Sequence, residues 1–129
     1  MSKTEEFLRK INKAIAEVDD QFLLNNVTDD FCWKIVGERT ISGKSEFSEA
    51  LEQMREMPLM KIDIRNVIIE DGSGIVEGIV VGRNRIGQKK YFGFCDVYSL
   101  EGTGEELKIS KMNSYVIDVS RHKRYKESC

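Results

Sequence analysis

Proline and histidine each occur once in this sequence, as Pro58 and His122, and cysteine only three times, as Cys32, Cys95 and Cys129. One histidine beyond the last strand-like run and three scattered cysteines do not make a metal-ligand set, so no metal is expected. They do not make a nucleophilic Cys and His pair either. An odd, widely spaced set of thiols, two of them inside apolar runs, suits buried free cysteines in a reducing compartment better than a disulfide framework. Neither sign of charge is in excess: 20 basic and 22 acidic residues give a formal charge of -2, which offers no field to gather nucleic acid or a membrane surface. No apolar run is long enough to span a bilayer, and MSKTEEFLRK lacks the apolar stretch of a signal peptide, so a cytoplasmic protein is expected. GRNRIG and GTGEEL lack the GKS or GKT ending of a phosphate loop and do not join a strand to a helix, which leaves nucleotide binding without support.

What is present is periodicity. Phe7, Leu8, Ile11, Ala14, Ile15 and Val18 recur at helical spacing behind a Ser2 and Glu5 capping box, which predicts a helix over roughly residues 3 to 18. A short second helix through QFLLNN follows, capped by Asp19 or Asp20, and FCWKIV alternates like a strand. VGERTISGK reads as a loop. Phe47, Ala50, Leu51 and Met54 form the stripe of a third helix, which must stop before Pro58. From residue 60 the period changes to two, with long strands expected over 60 to 70, 75 to 84, 88 to 100 and 106 to 119, separated by turn chemistry. The sequence therefore predicts one α+β domain, residues 1 to 129, with a core at about 3 to 119 and a basic, solvated tail at 120 to 129. Its architecture is expected to be a cone-shaped barrel, a strongly bent antiparallel sheet wrapped around the N-terminal helices. Gly78, Gly82 and Gly93 suit such bending.

If Arg85 and Ile86 form a two-residue hairpin loop, Ile79 faces Phe92, Glu77 faces Phe94 and Ile75 faces Asp96. One sheet face then carries Glu77, Ile79, Phe92, Phe94, Asp96 and Tyr98, and the opposite face is apolar as well. The helices cover one of the two, so a second copy of the chain is expected on the other, giving a homodimer through sheet faces. With the phenylalanine-bearing face inward, Asp96 and Glu77 become diagonal neighbours roughly 7 to 8 Å apart inside an apolar chamber. Asp96 is the leading candidate for a proton-donating or proton-shuttling acid. The alternative is a structural carboxylate hydrogen-bonded to Tyr98 or Trp33. Glu77 is its candidate partner, and Lys34, beside Trp33, a candidate cation at the cavity mouth.

The order of elements, with the segments TDDFCWKIVGERTISGKSEF, GQKKYFGFCDVYSL and KISKMNSYV, resembles the nuclear transport factor two superfamily, specifically its SnoaL-like and ketosteroid isomerase-related members. The resemblance implies a cone-shaped α+β barrel, often dimeric, with a deep apolar pocket and no obligatory cofactor. In ketosteroid isomerase the aspartate matching Asp96 stays protonated and donates a hydrogen bond to a developing oxyanion. The resemblance implies that Met112, Ser114 and Val116 line the pocket and that Trp33 lines it or packs under the third helix, and the face assignment adds Ile79, Phe92, Phe94 and Tyr98. Lys34 stands where the isomerase has its general-base aspartate, and Lys10 or Ile11 where it has a tyrosine, so steroid isomerisation is not expected. The expected function is the binding of a small apolar or amphipathic molecule. A cofactor-free isomerase, cyclase or hydratase acting through Asp96 is the first alternative, and a dimerisation module without catalysis the second.

Overall fold

The computed structural model describes residues 2–59 and 61–121, so the tail beyond Arg121 lies outside the described residues. Helix α1 spans Lys3–Glu17, and the Ser2 hydroxyl caps it by accepting from the Glu5 amide at 3.1 Å. It ends where Val18 takes a left-handed φ of 50° and the Asp19 amide returns to the Ala14 carbonyl. Asp19 then caps α2, Asp20–Asn25, through the Phe22 amide. Helix α3 spans Gly43–Glu56, with Glu46 accepting from the Ser42 amide at 2.8 Å, and stops one residue ahead of Pro58.

Six strands, β1 (Val27–Ile35), β2 (Arg39–Ser42), β3 (Lys61–Glu70), β4 (Ser73–Arg83), β5 (Lys89–Glu101) and β6 (Lys108–Asp118), form one open sheet in the order β2-β1-β6-β5-β4-β3. The long strands lie within two or three residues of the expected bounds. Two expectations are corrected. The segment 39–42, expected in a loop, is strand β2, whose four residues bury only Ile41 and so carry almost no alternation to read. The sheet is mixed rather than antiparallel throughout, because β1 runs parallel to β6. Nothing local in the sequence encodes that pairing, which joins segments about eighty residues apart.

α1 packs against β3 and β4, and α3 against β1 and β2, so both helices cover one face near opposite edges of the sheet. Leu8, Ile11, Leu23, Phe31, Leu51 and Val76 are sealed between helices and strands, and the Phe31 and Phe47 rings meet at 4.9 Å. A bulge at Arg65, between the Ile64 and Asn66 pairings, bends β3 over this core. Opposite the bulge stands Gly78, where an added methyl would overlap the Asp63 carbonyl oxygen. Gly74 is filled in a similar way by the end of Leu8, whereas a methyl at Gly82 would meet only Leu59, at an ordinary contact distance.

The β4–β5 register differs from the expected one by a single residue. Arg83 pairs with Lys89, and Asn84–Gln88 form a longer turn. The Asn84 side chain organises it, accepting from the Ile86 and Gln88 amides at 3.1 and 2.9 Å, while Gly87 supplies a φ of 84°. A shift of one residue inverts every side chain of β4 relative to β5. Gly74, Val76, Gly78 and Val80 therefore face inward, opposite Tyr98, Asp96, Phe94 and Phe92. Glu77 and Ile79 face outward, opposite Cys95 and Gly93.

Candidate functional site

Between the sheet and the helices there is a cavity of about 330 Å³. This is at the small end of the usual range for ligand pockets. Trp33 and Ile35 of β1, Phe92, Phe94 and Asp96 of β5, and Met112, Ser114 and Val116 of β6 line it from the central strands. Ile62 and Val80 close the β3–β4 side, while Asn12 and Ile15 of α1, Met54 of α3, Leu59 and Glu38 complete the wall. Most of this lining is apolar, and Asp96 is its one buried carboxyl group, 8% exposed.

Alternation along β5 places Phe94, Asp96 and Tyr98 on one face, and antiparallel pairing sets Ser114 directly opposite Asp96. The carboxylate accepts hydrogen bonds from the hydroxyls of both Ser114 and Tyr98. Each hydroxyl is in turn oriented by a group that donates to it. Trp33 Nε1 donates to Ser114 Oγ at 2.9 Å, and indole nitrogen has no acceptor capacity. Asn12 Nδ2 lies 2.9 Å from the Leu8 carbonyl, an acceptor only, which fixes the amide orientation. Its second hydrogen reaches the Tyr98 hydroxyl at 3.3 Å. Since both hydroxyls receive a hydrogen from outside, their own hydrogens point at Asp96.

Two opposing effects act on that carboxyl. Burial in the apolar wall disfavours its charge, and the Ser114 and Tyr98 hydrogen bonds favour it. Burial dominates and raises the pKa from 3.8 to about 6. Tyr98, wholly buried and beside this carboxylate, is pushed well above the ordinary tyrosine value by burial first and by Asp96 second. At pH 7 Asp96 is ionised in roughly nine molecules of ten, a carboxylate able to take a proton from a ligand and return it at modest cost. Among the described residues it has no ion-pair partner.

The expected site residues divide into three groups. Asp96, Trp33, Phe92, Phe94, Met112, Ser114 and Val116 stand together around the cavity. Tyr98 is on the correct face but behind the wall, where it touches Asp96 and not the open space. Glu77, Ile79 and Lys34 are corrected. The register shift turns Glu77 and Ile79 to the outer face, where Glu77 meets Asn66. Lys34 alternates away from Trp33 and lies exposed beside Asn113. Neither Glu77 nor Lys34 therefore accompanies Asp96, and the other carboxylate on the cavity wall among the described residues is the exposed Glu38. Asn12 was missed, although its signal was available: a buried amide, 2% exposed, four residues after Leu8 on an otherwise apolar helical stripe. Among the described residues no three of His, Cys, Asp and Glu converge as a metal site would require.

No protein-family model matches the sequence, and no curated protein matches it. Solved structures do match. An NTF2-like protein of unknown function from Cytophaga hutchinsonii superposes with a TM-score of 0.65 at 21% identity, covering 84% of this chain and 95% of its own. A putative polyketide cyclase from Xanthomonas campestris gives 0.70 at 14% identity, covering 88% and 89%. SalBIII, an epoxide hydrolase/cyclase-like enzyme with a role in pyran ring formation in the polyether salinomycin, gives 0.76 at 17% identity, again covering 88% and 89%. At such identities the likeness concerns architecture, and α1 and α3 against one face of an open six-stranded sheet give this chain an NTF2-like fold.

Proposed function

We propose that this chain binds a small, largely apolar molecule in the cone and presents Asp96 to it as the buried group able to exchange a proton. The observation that carries this is the polarity of the Trp33–Ser114–Asp96–Tyr98–Asn12 chain. Two donor-only groups turn two hydroxyls toward one carboxylate, which leaves Asp96 an acceptor at neutral pH inside an apolar wall. A purely structural acid would gain more from a surface position or a cation than from this placement. Native mass spectrometry of the gently purified protein should retain a bound small molecule, and Val80→Trp, which fills the cavity, should fold and lose it. A bare mass, with no apolar probe perturbing the Asp96 carboxyl resonance, would remove the proposal.

A second function rests on the same geometry. A buried base of pKa about 6 in a largely apolar pocket can move a proton between two positions of one substrate without a cofactor, as an isomerase, cyclase or hydratase requires. The similar structures include a putative polyketide cyclase, an epoxide hydrolase/cyclase-like enzyme and a ketosteroid isomerase-like protein, which supports this group of reactions without choosing one of them.

The outer sheet face supports a homodimer. Ile68, Tyr115 and Ile117 are between 47% and 68% exposed there, and Ile75, Ile79, Val81 and Val97 share that face. Glu77 and its partner Asn66 interrupt this face, and a second copy that covered its apolar parts would remove them from water. Cys32 and Cys95 are free thiols, which suits the cytoplasm, and no helix among the described residues is long and apolar enough to cross a membrane.

A further inference from the structure

The β4–β5 hairpin concentrates positive charge in a chain whose formal charge is -2: Arg83, Arg85, Lys89 and Lys90 lie within eight residues of one another. Lys90 is taken up by Asp118 at 3.4 Å. Arg83 and Arg85 have no carboxylate within ion-pair distance among the described residues. Arg83 Nη1 donates to the Gly87 carbonyl at 2.8 Å, which holds the guanidinium against the turn. Both arginines border a groove of about 420 Å³ whose apolar side is Met57, Pro58 and Leu59. Leu59 also lines the Asp96 cavity, so the cationic groove begins at the cavity's own wall.

We propose that the ligand of the cone is an amphipathic anion, with its apolar body in the cavity and its carboxylate, sulfate or phosphate end lying past Leu59 between Arg83 and Arg85. This rests on the cavity being a binding site, and it adds the charge and the direction of the ligand. Direction follows from the two ends. An anionic group driven to the deep end would meet the Asp96 carboxylate without water, whereas the opposite orientation brings it to two unpaired guanidinium groups that recognise flat oxyanions. Glu56 shares the groove and Glu38 the cavity wall, both exposed and neither paired with an arginine among the described residues, so they reduce the positive field without cancelling it.

Decanoate and 1-decanol, which share one apolar chain and differ in the head group, test this by calorimetry on the intact protein. Decanoate should bind roughly three- to tenfold more tightly in low salt, as expected for rim ion pairs, and the gap should narrow as salt is added. Arg85→Gln, in a side chain with no role in the turn, should weaken decanoate alone, and R83Q/R85Q should abolish the preference while leaving decanol unchanged. Equal binding of the two probes to the wild type, or a preference that survives the double variant, overturns the anionic ligand and leaves the cavity intact as a site. Binding of neither probe overturns both.

Discussion

Replacing Asp96 with asparagine should change how stability depends on pH, and the size of the change follows from the site. In the folded chain the carboxyl titrates at about 6, against 3.8 for an ordinary aspartate. Below pH 4 both the folded and unfolded chains hold the proton, and Asp96 carries no electrostatic penalty. Between about pH 4 and 6 the folded chain still holds a proton that the unfolded chain has released, so stability falls as pH rises through this window and levels off above it. The gap is worth about 3 kcal/mol, a large share of the stability of a domain of this size. Asp96→Asn removes the titration and keeps the volume. Its own cost, from a hydroxyl network built around an acceptor, is the same at every pH and cancels in the comparison. Urea denaturation of both proteins at pH 3.5, 5, 6, 7 and 8 should show the variant gaining on the wild type by about 3 kcal/mol from the acid end to the alkaline end, with most of the change between pH 4 and 6. A difference that stays flat, or that moves in favour of the wild type as pH rises, would mean that burial does not dominate at Asp96, and the proton-exchanging role would go with it.

Ser114→Ala and Tyr98→Phe each remove a hydrogen bond to the ionised carboxylate and should raise the Asp96 titration by about half to one pH unit, read from its carboxyl carbon resonance. Glu77→Gln, on the outer face, should leave that curve where it is, and a clear displacement would contradict the observed β4–β5 register. Gly78→Ala forces a methyl into the Asp63 carbonyl and should cost about 2 kcal/mol or more in urea, whereas a neutral result would show that the β3 bulge yields easily. Ile117→Lys should convert a sedimenting dimer to a monomer with Asp96 titrating as before; a monomeric wild type at micromolar concentration would exclude the dimer outright.

Most elements were legible in the sequence because they carried their own punctuation, Ser2 and Asp19 as caps, Pro58 as a stop and period two from residue 60 onward, whereas the short β2 carried none. It also placed Asp96 among Phe92, Phe94 and Ser114, since those positions follow from alternation along β5 and from family position. It misplaced Glu77 and Ile79 through one turn. Arg85 and Ile86 resemble a two-residue loop, but Asn84 satisfies two amides with one side-chain oxygen and stabilises a longer turn, so the register moves by one. The parallel β1–β6 pairing and the Asn12–Tyr98 contact depend on segments about eighty residues apart, and no local pattern encodes such a meeting.

The three inward glycines of β4 differ in how freely they can change. Gly74 and Gly78 are locked by neighbouring atoms, but Gly82 has room for a methyl group that would touch only Leu59, the side chain where cavity and arginine groove adjoin. A lineage carrying this scaffold could therefore narrow its doorway by one carbon, selecting shorter or slimmer guests while the bend opposite Gly78 and the buried acid stay untouched.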